Sequence, residues 1–372
     1  MEAESICLGI NSGICLHISL FSPNFADGTL YLNTKGGTKY MKLMVQSQYS
    51  QAIDIFRGIL ITLVILGHCI YWNNAENIYV WRLIYSFHMP AFFLISGYLC
   101  YKPVITVSKI PLRFLRLMIP FIIWSCMEAI QEPNFGDTLF LLCKSPDVKF
   151  WFLPCLFYIS TLFIVLVFLS DRYSLRMEIV SIVASVLLYG CMKFAGVRSW
   201  GFDLVTYYFP YYVMGFFCHK YEVRCHWQIA FFCFFVWVVG AFFWSKSVVP
   251  LPFAIFQLSS WLLIYVYNLF IALSGSYFAA YCSFWGVTYL HEETLILKGF
   301  VFLGKHSLGM YVVHIFLGEL LNLYIWPNIG VGNIVSVHFV GLTVLSTFAV
   351  WGILHSRILS CILLGEWKMR KI

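Results

Sequence analysis

The sequence predicts an all-α integral membrane protein of about ten transmembrane helices, with both termini cytoplasmic. Two observations carry the fold class. Of 372 residues, 61% are hydrophobic and only 11% charged, a balance that soluble domains do not have. Apolar runs of about 20 residues, the helical length that crosses a hydrocarbon core of roughly 30 Å, recur along nearly the whole chain. A third observation sets the orientation. The alternate loops assigned to the inside, with the C-terminal tail, collect fourteen Lys and Arg residues, and the outer loops hold five, as the positive-inside rule requires.

Taken in order, the spans are expected near residues 53–72, 79–101, 111–130, 150–169, 177–195, 204–219, 227–245, 252–273, 306–326 and 333–354. The stretch 277–290 is apolar but short, so it reads as an interfacial helix or an extension of the eighth span. Residues 1–45 read as an N-terminal extension, unstructured or not native. "ADGTLYLNTKGGTKY" is loop-like, Glu2 and Glu4 stand where a signal peptide would be basic, and Met41 or Met44 is a plausible start. Residues 46–356 form the transmembrane domain and 357–372 a short basic cytoplasmic tail.

The net charge of +7 is dispersed among short loops, so topology explains it and nucleic acid is not an expected partner. The 13 cysteines include no C-x-x-C pair. Neither a disulfide framework nor a metal site is expected. No internal repeat is visible, which removes a common signature of transporters.

The first span, "AIDIFRGILITLVILGHCIYW", carries Asp54, Arg57 and His68. Ionisable groups cost about 2.5–3.5 kcal/mol near a membrane centre on insertion scales, so they point to function by default. Arg57 and His68 are eleven residues apart. At 100° per residue that spacing puts them on one face, about 16 Å apart along the axis. Asp54, one turn before Arg57, extends the stripe and can pair with it. The bland alternative is an interfacial Asp54–Arg57 ion pair with His68 hydrogen-bonded in the bundle.

The next span weighs against that alternative. "SFHMPAFFLISGYL" brings His88 to similar depth beside Pro90, and two imidazoles in a bundle imply a polar cavity suited to proton transfer. Ser96-Gly97 lacks the surroundings of a nucleophile elbow and reads as close packing. Arg113 and Arg116 stand one turn apart at the start of the third span. They are either topology signals or, with Arg57, a site for a polyanion such as a phosphorylated carrier. In "KFWFLPCLFYIS", Trp151 fits a substrate wall and an interfacial belt equally well. In "FLGKHSLGMYVVHIFL", His314 is either a further cavity residue or a satisfied bundle histidine.

Together "DIFRGILITLVILGH", "FHMPAFFLISGYL", "RFLRLMIPF", "WFLPCLF" and "LGKHSLGMYVVH" resemble, in order, the acyltransferase 3 family of integral-membrane O-acyltransferases, specifically its fucose 4-O-acetylase-like branch. The resemblance covers about residues 50–355. It implies a ten-helix bundle in the bacterial cytoplasmic membrane. Such a bundle moves an acetyl group from cytosolic acetyl-CoA to a hydroxyl of a cell-surface glycan or its lipid-linked sugar precursor. Arg57 and His68 match the family's essential pair, and Arg113 and Arg116 its basic segment. The first motif has Arg57 where that branch often has Lys.

On this reading His68, Arg57 and His88 are the catalytic candidates, and Arg113, Arg116, Asp54, Trp151 and His314 the substrate-binding ones. No permanently bound cofactor is expected. The rival readings are a polytopic transporter or flippase, a membrane-bound O-acyltransferase of different architecture built on His314, and a non-catalytic membrane protein.

Overall fold

A computed structural model describes residues 37–102, 105–131, 134, 136–137, 140, 149–195, 201–245, 260–289, 294–326 and 334–367. The chain divides into two units, residues 1–51 and 52–372, and the side-chain contacts described below all lie in the second. Residues 1–36 of the expected extension lie outside the described residues, whereas the first helix is already formed from Gly37, inside the stretch that read as loop-like.

Every described element is helical. Besides a 3-10 turn at Val107–Lys109 and a π-helical turn at Leu321–Ile325, the α-helices in chain order are α1 (Gly37–Trp72), α2 (Tyr79–Tyr85), α3 (His88–Cys100), α4 (Ile110–Gln131), α5 (Phe152–Arg172), α6 (Met177–Ala195) and α7 (Phe202–Lys220). Then follow α8 (Trp227–Phe243), α9 (Ser260–Tyr289), α10 (Leu295–Lys305), α11 (Ser307–Leu320), α12 (Val335–Leu354) and α13 (Arg357–Leu364).

Seven of the described helical stretches are long and apolar enough to cross a membrane. The expected spans 177–195 and 227–245 correspond to helices that are apolar but shorter, Met177–Met192 and Trp227–Phe243. The expected span 204–219 forms α7, whose Tyr-rich sequence and Asp203, His219 and Lys220 dilute its hydropathy. The apolar stretch after residue 276 continues α9 as one helix to Tyr289. It is therefore the extension of the eighth span rather than a separate interfacial helix. Two elements have no counterpart among the expected spans, α10 and α13. At 11 and 8 residues they are too short to give a spanning signal.

Large apolar side chains such as Ile182, Phe232 and Phe348 point outward, as lipid-facing surfaces require. The helices meet through small residues. A Cβ at Gly97 would run into the Tyr212 carbonyl, and one at Gly215 into that of Leu94, so α3 and α7 cross backbone to backbone. Gly97 is thus a packing residue, as its motif suggested. The same device joins α1 to α10, with Gly58 against the Phe300 carbonyl and Gly304 against that of Asp54. This second crossing fixes the height of α11, which begins three residues after Gly304, relative to Arg57.

Candidate active site

The α1–α11 seam places the polar residues. On α11, Ser307, Tyr311, His314 and Gly318 fall at i, i+4, i+7 and i+11, which is one helical face. Going up the seam, the Arg57 guanidinium donates from Nη2 to Ser307 Oγ at 2.8 Å. The His68 and His314 rings lie with centroids 5.2 Å apart, and the Trp72 indole covers Gly318 so closely that a Cβ there would collide with it. Three rungs in the same order on both helices mean that α1 and α11 run parallel.

At the lower rung Arg57 also faces Asp54 across 3.9 Å. Its guanidinium lies at the edge of a cavity of about 180 Å³ walled by Ile61, Met89, Phe92, Phe152 and Tyr311, with Ser307 as its partner. The wall is apolar apart from Arg57, Ser96 and Ser307, so the guanidinium is the charged group among the lining residues that a ligand entering there would meet. Tyr311 links this cavity to the rung above, its ring 6.0 Å from that of His314, and it accepts a hydrogen bond from the Phe152 amide at 3.4 Å.

His314 is fully buried, and its Nδ1 lies 2.8 Å from the Met310 carbonyl. Beside His68 are the rings of His314 and, at 5.3 Å, Trp72. His88, which the sequence expected to converge on His68, has its Nδ1 2.6 Å from the Ile84 carbonyl and meets the Tyr85 ring edge-on at 4.9 Å. The His314 ring is thus an imidazole that pairs with His68. Trp151 stacks on Tyr208 at 5.4 Å and lies 6.5 Å from Phe93, within an aromatic cluster.

The two α4 arginines are engaged by protein atoms. Arg113 donates to Tyr212 Oη and Cys100 Sγ, both at 3.3 Å. Arg116 donates from Nε and Nη2 to the Trp367 carbonyl at 3.0 and 2.7 Å. That carbonyl follows α13, whose last turn closes on Gly365 at φ 71° with no room for a Cβ beside the Arg116 carbonyl. Glu366 in the same turn pairs with His306 Nδ1 at 2.6 Å, immediately before Ser307.

Beyond the histidines lies a group that the sequence left unassembled. Lys149, just ahead of α5, bridges Glu128 of α4 and Glu319 of α11, the latter at 3.0 Å. Burial presses the Lys149 ammonium toward its neutral form, but hydrogen bonds and charge from the two carboxylates outweigh it and the net shift is upward. Ser307 and Tyr311, which line the cavity, were also missed as candidates, although their spacing to His314 was available in the sequence. Among the described residues no cluster of His, Cys, Asp and Glu suits a metal ion.

A family profile described as an acyltransferase domain, of the acyltransferase 3 type, matches residues 50–355. Two curated relatives share the name Nodulation protein NolL. The one from Mesorhizobium japonicum is 29% identical over 181 residues, 44% of this chain and 46% of the relative. The one from Sinorhizobium fredii is 28% identical over 217 residues, 50% of this chain and 56% of the relative. The chain thus spans about half the length of the curated relatives it matches. No solved structure matches it.

Proposed function

Because the chain belongs to the acyltransferase 3 family, we propose that it is a multi-pass O-acetyltransferase of the bacterial cytoplasmic membrane. It would move an acetyl group from cytosolic acetyl-CoA to a hydroxyl of a cell-surface polysaccharide or its lipid-linked sugar precursor. The observation that carries this reading is the α1–α11 seam, with a cation and a hydroxyl at one cavity edge and two imidazoles one step above.

In this proposal about ten spans, with both ends cytosolic, put the Arg57–Ser307 rung toward the cytosol. The thioester arm enters the apolar cavity there, and Arg57 steadies its polar groups through charge-assisted hydrogen bonds. Arg113 and Arg116 sit at the same end of the bundle. With two donor contacts each already made to protein atoms, they contribute a positive potential that draws in the donor's phosphates rather than a bidentate clamp. The acceptor hydroxyl arrives from the opposite side, past Trp72. At the imidazole pair its oxygen attacks the acyl carbon, its proton passes to a ring nitrogen, and the thiolate leaves.

The test is to incubate membranes containing the protein with acetyl-CoA labelled in the acetyl group. Label in the glycan fraction, absent with vector membranes, is the expected result. Transport of a solute or glycolipid with no label transferred would overturn the reading.

A further inference from the structure

The two imidazoles need not share one role, and the hydrogen bonds of His314 divide them. A neutral imidazole carries one N–H, and the opposite nitrogen is a lone-pair acceptor. The group facing Nδ1 of His314 is the Met310 carbonyl at 2.8 Å. A carbonyl can only accept, so the proton resides on Nδ1 and Nε2 presents its lone pair. That Nε2 is buried and has no hydrogen-bond partner among the described residues. Leaving a buried polar atom without a partner is costly, and the site retains it beside His68 and one turn above the cavity-lining Tyr311. Only a hydrogen-bond donor can satisfy Nε2 in this tautomer, and the substrate that brings one is the hydroxylated acceptor.

Resting on the acetyltransferase reading, we infer that His314 is a second catalytic residue and the base of the reaction. Its Nε2 takes the acceptor's hydroxyl proton while His68 attends to the acyl group. The O–H bond breaks toward Nε2, the oxygen's electron pair forms the bond to the acyl carbon, and the C–S pair departs with the thiolate. The proton held on His314 then passes to the thiolate or to water. The helix supplies the reason for such a fixed base. Locking Nδ1 to the carbonyl one turn back orients the ring without help from another element, so Nε2 is aimed before any substrate arrives.

A nucleophile that needs no base separates this role from a structural one. Hydroxylamine is nucleophilic as the neutral molecule near pH 7 and turns an acetyl thioester into acetohydroxamate. His314→Asn, which can keep the bond to Met310, and His314→Gln are compared with wild type and His68→Gln. Three quantities are read: binding of labelled acetyl-CoA, label entering glycan, and enzyme-dependent hydroxamate.

The base role predicts that both His314 variants bind donor normally, lose glycan labelling by about a hundredfold or more, and keep hydroxamate formation within about threefold. His68→Gln should lose both products. Retained glycan labelling in either His314 variant overturns the inference, and so does loss of hydroxamate together with glycan labelling. Loss of donor binding in both variants overturns it as well, because the ring would then be structural. If the wild type itself transfers label to neither nucleophile, the acetyltransferase reading falls and takes the inference with it, which is distinguishable from failure of the variants alone.

Discussion

Two regions of this bundle carry cations on apolar helices at the same end, and they are used differently. On the α1–α11 seam, Arg57 meets a hydroxyl and a carboxylate while lining the cavity. On α4, Arg113 and Arg116 are tied to Tyr212, Cys100 and the Trp367 carbonyl. The lesson is that a basic residue in a membrane helix becomes chemical or architectural according to what satisfies its donors. On the seam the charge lines the cavity a ligand would enter, whereas on α4 two donor contacts of each guanidinium are already made to protein atoms.

The largest effect that would break this contrast belongs to His68. Replacing it with Ala should lower label transfer to glycan by about 10²–10⁴-fold, the range of a general acid–base or acyl-handling group, with membrane insertion unchanged. Turnover that survives in a correctly inserted variant would remove the seam from the chemistry. Next comes Ser307→Ala. A hydrogen bond to a charged group contributes about 1.5–3 kcal/mol, so its loss should raise the apparent KM for acetyl-CoA about tenfold or more with a smaller change in kcat. An unchanged KM would mean that Arg57 does not meet the donor. Between these and the α4 arginines stands Gly304→Ala, whose new methyl would press on the Asp54 carbonyl. It should destabilise the bundle by about 1–3 kcal/mol and raise the same KM by displacing Ser307, measured by thermal unfolding and kinetics on one preparation.

The legible part of the fold was what hydropathy reports. Each expected span meets a helix, because a run of apolar residues has few alternatives to helix in lipid. The short α10 and α13 were hidden, since 11 and 8 residues with polar neighbours give no spanning signal. Among the candidate residues, the shared face of Arg57 and His68 was legible because periodicity along one helix is a local property. That His314 sits beside His68 was not, because it depends on how α11 is set against α1, and that height is fixed by Gly58 and Gly304 meeting backbone carbonyls. The Glu128–Lys149–Glu319 group was invisible for the same reason, as its members come from three separate parts of the chain. Arg113 and Arg116 had the right spacing for an anion site. Only the position of the C-terminal turn reveals that one guanidinium is bound to Trp367.

The smallest effect is the sharpest test of that last point, and it concerns Arg116→Lys. Lysine keeps the charge but offers one nitrogen on a flexible stem, so it cannot reproduce two parallel bonds to one carbonyl. If Arg116 acts on the donor only through its potential, the charge-preserving change should alter the KM for acetyl-CoA by no more than about threefold. Because an exposed hydrogen bond contributes about 0.5–1.5 kcal/mol at most, the unfolding temperature should fall by a few degrees or less, through a looser C-terminal turn. Glu366→Gln, which weakens the His306 pairing in the same turn, should reproduce the stability change and also leave KM alone. A tenfold rise in KM for Arg116→Lys with an unchanged unfolding temperature would reverse the assignment. The guanidinium would then leave the Trp367 carbonyl to grip phosphate in pairs, and α4 would join the seam as part of the donor site.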